Sequence, residues 1–186
     1  MRIIAGKHRG RKLKSPPSLE TRPTSDRLRE TLFNILAPRI EGARFLDLCA
    51  GSGAVGIEAL SRGAQPVTFV DRSQKMCALI EMNVAGLKVD QEEFEIFVTE
   101  AGEFLRRQVK KDGKPFDVIF FDPPYRTDYD RVLDYVGDHL EQLLSKDGVV
   151  IVEHHKKKEL KPEIGGLHRY RALKQGDSVL SFYELT

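Results

Sequence analysis

The sequence lacks the features that mark membrane, secreted and metal-binding proteins. Among its 186 residues no apolar run is long enough to span a bilayer, and no apolar signal segment follows Met1. Two cysteines, Cys49 and Cys77, are too few for a disulfide framework, and their apolar surroundings are typical of buried thiols in a reducing compartment. The five histidines have no ligand spacing, so we expect no metal. These absences predict a cytoplasmic protein with no membrane partner.

Acidic residues are scarce at the N-terminus, although the whole chain is nearly neutral. The net charge is +2, yet residues 1–29 contain nine basic and two acidic side chains, which leaves +7 in this segment and −5 in the remainder. Such an asymmetry is typical of a basic arm that binds a polyanion. A solvated tail is the alternative, but the apolar pair Ile3-Ile4 and the glycines at 6 and 10 favour a folded arm.

The first 40 residues have the pattern of a small extension. Residues 2–5 and 11–14 flank a basic loop between two glycines, which predicts a β-hairpin. Apolar residues at helical spacing predict an amphipathic helix over 25–37, with Thr24 as its N-cap. We therefore expect an N-terminal basic extension, residues 1–40, packed on a body that comprises residues 41–186.

From Arg44 onward, strand and helix patterns alternate. Apolar runs predict strands at 45–49, 67–71, 94–98, 116–121 and 149–152, helical patterns lie at 54–62, 73–85, 101–110 and around 133–144, and the tail predicts a hairpin of 168–174 with 178–185. The basic run 154–158 reads as a solvated helix start. Apolar strands between helices indicate a parallel sheet that is covered on both faces. The expected fold class is α/β, a doubly wound, mostly parallel seven-stranded sheet with a C-terminal antiparallel hairpin and a small N-terminal β-hairpin and helix.

The first predicted strand runs into a glycine-rich loop, Asp47-Leu-Cys-Ala-Gly-Ser-Gly53. Glycines let the backbone approach a ligand closely and let a helix begin without a Cβ clash. Gly51, Gly53 and Gly56 also satisfy the dinucleotide fingerprint, so a nicotinamide-dependent oxidoreductase is one alternative. Asp47 argues against it, because a carboxylate would repel the diphosphate that such loops bind. A ligand with a cationic amino-acid portion suits Asp47 better.

Acidic residues also follow the second and third predicted strands. In open α/β sheets ligands bind at the carboxyl edge, where these residues would meet. Asp71 could accept hydrogen bonds from two ribose hydroxyls, or it could cap the next helix. Glu100, followed by Ala101, could border an adenine ring or begin a surface helix.

The fourth predicted strand ends in Asp122-Pro123-Pro124-Tyr125, the most informative motif of the chain. Paired prolines cannot continue the strand, so they form a stiff, extended turn. A planar base could stack on Tyr125 while its amino group donates to the Asp122 carboxylate and the Pro123 carbonyl; a strand stop in which Asp122 caps the next helix is the alternative. Together, the strand ends predict a site for a nucleoside with an amino-acid tail beside an aromatic amine, and S-adenosylmethionine meets that description as a cofactor.

These motifs resemble those of class I S-adenosylmethionine-dependent amino-methyltransferases, which have a Rossmann-like fold. More narrowly, residues 2–13, 22–34 and 45–54 resemble the RsmD-like family, and the resemblance extends over essentially the whole chain. One departure is Cys49, where many members have phenylalanine. The resemblance implies methyl transfer from S-adenosylmethionine to the exocyclic N2 of one guanine in 16S ribosomal RNA.

The motifs and the resemblance together predict three groups of site residues. The expected catalytic residues are Asp122, Pro123, Pro124 and Tyr125. The expected cofactor-binding residues are Asp47, Cys49, Ala50, Gly51, Ser52, Gly53, Asp71, Arg72, Glu100 and Ala101. The expected RNA contacts are Lys7, Arg9, Arg11, Lys12, Arg22 and Arg27, although Arg22 and Arg27 could instead brace the cofactor.

Two further functions stay open at this point. An adenine-N6 methyltransferase acting on DNA or RNA uses the same turn, but the DNA enzymes usually carry a separate target-recognition domain, for which this chain has little room. A non-catalytic RNA-binding module would have no need for Asp47, Asp71 and Asp122 together. The expected partner is 16S ribosomal RNA, either alone or in an assembling small-subunit particle, and we expect the protein to be a monomer.

Overall fold

The computed structural model describes residues 1–15, 25–124 and 128–186, and its described part is built on one eight-stranded sheet. The strands are β1 (Phe45–Leu48), β2 (Val67–Asp71), β3 (Phe94–Val98), β4 (Phe116–Phe121), β5 (Leu144–His155), β6 (Glu163–Ile164), β7 (Leu167–Gln175) and β8 (Ser178–Leu185). The helices are α1 (Asp26–Leu36), α2 (Ala54–Ser61), α3 (Gln74–Leu87), α4 (Ala101–Lys110), α5 (Tyr129–Asp138) and α6 (Leu140–Leu143).

The strand order is β3-β2-β1-β4-β5-β8-β7-β6, which confirms the predicted α/β class. The first five strands are parallel, while β8, β7 and β6 join in antiparallel pairs. The chain reverses its strand order between β1 and β4, which is where ligands bind in open α/β sheets. The eighth strand, beyond the seven expected, is the two-residue β6, which is too short to leave a periodic pattern.

Each face of the sheet carries its own hydrophobic core. On one face, side chains of α1, α2 and α3 pack with Phe69, Phe120 and Ile151. On the other face, side chains of α4, α5 and α6 pack with Phe121 and Val152. Because successive strand residues point to opposite faces, neighbours in β4 and β5 divide between the two cores. Each such buried side chain contributes about 1.5–3 kcal/mol relative to its exposed form.

Several boundaries differ from the predicted ones, and three of the differences are informative. Ser25 caps α1 by accepting a hydrogen bond from the Leu28 N–H, whereas Thr24 lies outside the described residues. Leu144 begins β5 instead of ending a helix. The run 154–158 is not a helix start, because pairing with β8 continues through His155 and extends the strand.

The N-terminal residues form an irregular hairpin that is held against the body. Its pairing is reduced to one bridge between Arg2 and Lys12, with a few further main-chain hydrogen bonds between the two arms. Ile3 and Leu13 are buried in the same core as α1 and the sheet. The division of the chain at residue 40 stays a prediction. Within the described residues, none of the helices has both the length and the apolarity to cross a bilayer.

Candidate active site at the carboxyl edge of the sheet

Asp47 lies on β1, beneath the glycine loop, with only 2% of its surface exposed. Its carboxylate accepts a hydrogen bond of 2.9 Å from the Gly56 N–H in the first turn of α2. Burial raises the pKa of Asp47 to about 7; the Gly56 hydrogen bond lowers it, and the charge of Asp71 raises it further. The side chain therefore links β1 to α2 and holds a proton more readily than an ordinary aspartate.

The glycines of this loop serve different purposes. Gly51 has a positive φ of 54° and faces open space, where an added Cβ would touch nothing within 4 Å. A Cβ at Gly53 would lie 2.8 Å from Ile80, and one at Gly56 would lie 2.2 Å from the Phe69 ring. Gly56 thus allows α2 to pack closely on the sheet and Gly53 allows the loop to approach α3, while Gly51 leaves room above the loop.

Asp71 joins the end of β2 to this loop. Its two carboxylate oxygens accept hydrogen bonds of 2.8 Å, one from the Gly51 N–H and one from the Ser73 N–H. Ser73, not Asp71, caps α3 by accepting a hydrogen bond from the Met76 N–H. A carboxylate has about four lone-pair sites, so Asp71 keeps capacity for two further donors.

The ends of β2 and β3 border a small cleft of about 90 Å³. Its lining residues are Cys49, Val70, Asp71, Arg72, Thr99, Glu100, Ala101, Gly102, Pro124 and Val132. Arg72 and Glu100 form an ion pair of 3.6 Å at the rim, where both side chains are about two-thirds exposed. Such an exposed pair contributes little to stability and moves easily.

The turn after β4 lies next to the glycine loop. The Asp122 N–H donates to the Leu48 carbonyl at 3.3 Å, which continues the pairing of β4 with β1. Asp122 is half-buried, and the loss of solvent around its carboxyl raises its pKa well above the usual value. The charges of Glu153 and then Asp47 raise this pKa further. The Pro123 carbonyl accepts a hydrogen bond of 3.3 Å from the Tyr129 hydroxyl. Tyr125 lies outside the described residues.

Cys49 stands between the two acidic strand ends. It adopts a positive φ of 63° and is partly buried. Burial raises the pKa of its thiol, and the charges of Asp71 and Asp122 raise it further. The thiol therefore stays protonated beside the carboxylates and is a poor nucleophile.

Glu153 and Tyr129 belong to this edge but escaped the sequence analysis. Glu153 directly follows the apolar run of β5, so the rule that identified Asp71 and Asp122 would have found it too. Tyr129 had no such signal, because its hydrogen bond to Pro123 depends on where α5 begins.

The predicted RNA contacts lie elsewhere. Lys7, Arg9, Arg11 and Lys12 are exposed on the N-terminal hairpin, and Arg27 is exposed on α1. The Arg11 guanidinium donates to the Gly86 carbonyl at 2.8 Å. Arg22 lies outside the described residues, and none of the other five lines the cleft.

The edge as a whole offers carboxylates and main-chain carbonyls to a ligand. It suits a ligand that brings positive charge and N–H or O–H donors. In the described parts of the chain, no three His, Cys, Asp or Glu side chains are grouped to hold a metal ion.

Comparisons with known proteins show which family the chain resembles. The family model described as Conserved hypothetical protein 95 matches residues 1–184. The chain is 36% identical over 184 residues to "Putative rRNA methyltransferase YlbH" of Bacillus subtilis, covering 99% of this chain and 98% of that protein. It is 44% identical over 126 residues to "Ribosomal RNA small subunit methyltransferase D" of Escherichia coli, but that match spans 68% of this chain and 61% of the relative.

Solved structures share the fold. "Putative methyltransferase yhhF" from Escherichia coli superposes with a TM-score of 0.86 at 33% identity, covering 100% of this chain and 99% of that chain. The structure of "A putative sam-dependent methyltransferase" from Streptococcus mutans superposes with a TM-score of 0.72 at 16% identity, covering 89% of this chain and 50% of that one. At that lower identity the likeness shows the fold alone.

Proposed function

The chain belongs to the family described as Conserved hypothetical protein 95, which is RsmD-like, and on this basis we propose that it is an rRNA methyltransferase. More specifically, it transfers a methyl group from S-adenosylmethionine to the exocyclic N2 of a guanine in 16S ribosomal RNA. The names of its relatives support the coarser statement, methyl transfer to ribosomal RNA. The guanine N2 target is what the resemblance to the RsmD-like family implies, and the strand ends fit an aromatic exocyclic amine of this kind.

One observation carries the proposal: the Asp122 turn and the glycine loop sit side by side. Leu48 pairs with Phe121 in the register of β1 and β4, and the next residues are Cys49 and Asp122. A ligand on the loop and a base on the turn would therefore lie within one strand spacing of each other, about 4.8 Å. Methyl transfer needs such close approach of donor and acceptor.

The residues at this edge fit S-adenosylmethionine. Asp71 keeps lone pairs for ribose hydroxyls, and Gly51 leaves open space beside it. The acidic surroundings of Asp47 suit the cationic amino-acid portion of the cofactor. Because the Asp47 side chain is buried beneath the glycine loop, it would act on that portion from below the loop. When bound, the cofactor supplies a methyl group made electrophilic by its sulfonium. Arg72, Glu100 and Ala101 border the region where its base would lie.

The turn residues would orient the target amine. The Asp122 carboxylate and the Pro123 carbonyl accept its two N–H groups, which directs the nitrogen lone pair toward the methyl group. They also stabilise positive charge that develops on the nitrogen, usually the largest catalytic contribution. Pro123 already accepts the Tyr129 hydroxyl, and its second lone pair is the one available to the base. Tyr125 would stack on the base, with Pro124 fixing the turn.

The basic extension would hold the RNA. Lys7, Arg9, Arg11, Lys12, Arg22 and Arg27 are proposed phosphate contacts, which would give affinity and salt dependence without reading sequence. Arg11 can serve only with the N–H groups left by its bond to Gly86. The target guanine would have to leave its stack to reach the edge.

The function is tested by methyl transfer from labelled S-adenosylmethionine to 16S ribosomal RNA that lacks its modifications. We expect label in the RNA and, after digestion to nucleosides, in N2-methylguanosine. Both naked RNA and small-subunit particles are offered, since the state of the substrate decides access to the base. Label in N6-methyladenosine would overturn the guanine assignment, and no transfer to either substrate would overturn the function.

A further inference from the structure

A carboxylate outside the predicted site, Glu153, stands in register with Asp122. β4 and β5 are parallel neighbours in which Phe120 pairs with Ile151 and Phe121 with Val152. The next residue of each strand is Asp122 and Glu153. Paired residues of parallel strands point to the same face, so these side chains emerge next to each other.

The face to which they point also holds Asp47. Phe120 and Ile151 belong to the core beneath α1, α2 and α3, whereas Phe121 and Val152 belong to the opposite core. Alternation therefore places Asp122 and Glu153 on the face of Phe120 and Ile151. Asp47 pairs with Phe120, which puts its side chain on this face too, one step deeper.

Three neighbouring strands thus bring three acids to one side of the sheet. Glu153 is 8% exposed and Asp47 is 2% exposed. Glu153 pairs across the sheet with Leu180 of β8, which is fully buried. In such surroundings like charges do not all stay ionised, and a proton binds to the group tightly.

We propose that Glu153 is a positioning residue that strengthens Asp122 as the acceptor of the proton released by the methylated amine. The inference rests on the proposed function. In the step concerned, the lone pair of guanine N2 forms the bond to the methyl carbon, and the carbon–sulfur pair stays on sulfur. The nitrogen, now positively charged, loses one proton to a carboxylate oxygen of Asp122. The product is a neutral secondary amine beside a neutral thioether, and the site gains the proton.

A carboxylate with a raised pKa is a stronger base than an ordinary aspartate, whose pKa is about 3.9, and general base catalysis is most efficient when the pKa of the base lies near the working pH. A second carboxylate beside it makes proton uptake more favourable. Burial raises the pKa of Asp122, the charges of Glu153 from β5 and Asp47 from β1 raise it further, and Asp122 in turn raises the pKa of the Cys49 thiol after β1. Tyr129 of α5 acts on the same turn through the Pro123 carbonyl. Of the two carboxylates, Glu153 is the nearer in register to Asp122, and its removal leaves Asp47 in place.

The first experiment follows the Asp122 carboxyl by carbon-13 NMR during a pH titration of the protein without RNA. The signal is assigned by its loss in Asp122→Asn. In Glu153→Gln we expect the Asp122 midpoint to fall by about one pH unit or more, and in the exposed control Glu159→Gln to stay unchanged. An Asp122 midpoint that does not move in Glu153→Gln would overturn the inference, whatever the protein's activity.

The second experiment measures single-turnover methyl transfer against pH. Glu153→Gln should shift the ascending limb to lower pH and lower the plateau by about tenfold or more, within the range for proton-transfer catalysis. Glu153→Asp, which keeps the charge, should hold the limb near its wild-type position. An active wild type with an unmoved limb in Glu153→Gln refutes the role of Glu153, whereas an inactive wild type refutes the proposed function instead.

A reciprocal measurement covers the case in which Glu153→Gln fails to fold. Asp122→Asn should lower the titration midpoint of Glu153, because the coupling between two carboxylates acts in both directions. A Glu153 midpoint that stays where it is in wild type would count against the pair.

Discussion

The buried carboxylate of Glu58 and the acids of the carboxyl edge lie on the same side of this sheet, but their hydrogen-bonding surroundings are opposite. Glu58 of α2 is fully buried and surrounded by donors from the N-terminal segment. It accepts hydrogen bonds from the Ile4 and Ala5 N–H groups at 2.8 and 3.0 Å and pairs with the Arg62 guanidinium at 2.8 Å. Asp47, at the carboxyl edge, accepts one main-chain N–H and faces other acids.

The difference separates a structural junction, at which Glu58 joins the N-terminal hairpin to α2, from a binding site. At Glu58 the hydrogen-bonding capacity of the carboxylate is used within the protein, so the charge fixes the N-terminal hairpin to α2. Buried Arg29 extends this junction, with its Nε 3.6 Å from Glu58 and its Nη2 2.6 Å from the Arg2 carbonyl. At the edge, burial raises the pKa values of Asp47 and Asp122, neighbouring acids raise them further, and these carboxyl groups can accept hydrogen bonds from donors that a ligand brings.

The largest effect is expected from removal of the Glu58 carboxylate, which tests whether this junction is structural. Glu58→Ala leaves the Arg29 and Arg62 guanidiniums without their shared acceptor and deprives two main-chain N–H groups of theirs. Loss of one partner of a buried ion pair costs about 3–5 kcal/mol, so we expect the free energy of unfolding to fall by that amount. Denaturant titration measures it.

The matched control is Glu81→Ala, an exposed position on α3, which should change the free energy of unfolding by less than about 0.5 kcal/mol. Hydrogen exchange at the Ile4 and Ala5 amides should accelerate in Glu58→Ala. If both variants were equally stable, the junction would not depend on Glu58.

At the edge, the expected losses are in catalysis. Asp122→Ala removes an aligned acceptor, and methyl transfer should fall by about 10²–10³-fold, the range for loss of one preorganised polar partner. Binding of S-adenosylmethionine, measured by calorimetry, should persist, because Asp122 does not line the cleft. Asp147→Ala, at an exposed position near the start of β5, serves as the control. Full activity of the Asp122 variant would remove this residue from the mechanism.

The raised pKa of Asp47 should make the stability of the protein depend on pH. Its pKa is raised in the folded protein, so the folded state binds more protons than the unfolded state between about pH 4 and pH 7. This group therefore makes stability fall as pH rises through that window. One pKa unit corresponds to about 1.4 kcal/mol, so Asp47→Asn should gain about 1–3 kcal/mol relative to wild type at pH 8 compared with pH 4.

Unfolding titrations at the two pH values test this prediction, with Asp147→Asn as the exposed control. A difference between Asp47→Asn and wild type that does not change with pH would mean that the Asp47 carboxyl is not held in an unfavourable setting.

The same contrast explains how far the sequence could lead. Strand ends are local patterns, so Asp47, Asp71 and Asp122 were recognisable from apolar runs that stop at an acid, and parallel topology then brings such ends together. The junction at Glu58 was not recognisable, because it joins residues 54 positions apart through main-chain N–H groups that leave no trace in side-chain identity. Gly6 is similar: its added Cβ would lie 1.7 Å from the Ser61 carbonyl, a contact that only the packed structure reveals.

The smallest expected effect concerns Tyr129, which makes a hydrogen bond within the protein at the carboxyl edge, as the donors around Glu58 do at the N-terminal hairpin. Its hydroxyl donates to the Pro123 carbonyl at 3.3 Å, and its ring packs edge-on against Phe121. Tyr129→Phe keeps the ring and removes the hydrogen bond, whose net contribution is about 0.5–1.5 kcal/mol. We expect that loss in unfolding free energy and a several-fold fall in kcat.

The KM for S-adenosylmethionine should stay constant in Tyr129→Phe, since Tyr129 is absent from the described lining of the cleft. Tyr170→Phe, at a partly exposed residue of β7, should leave kcat and the free energy of unfolding near wild-type values. A fall in kcat without a rise in KM would mean that the turn must be held rigid before the base arrives. The edge would then combine hydrogen-bond acceptors that are left for the ligand with a turn that the protein itself fixes. A higher KM at constant kcat would instead place Tyr129 in cofactor binding and would contradict the assignment of its hydroxyl to the turn.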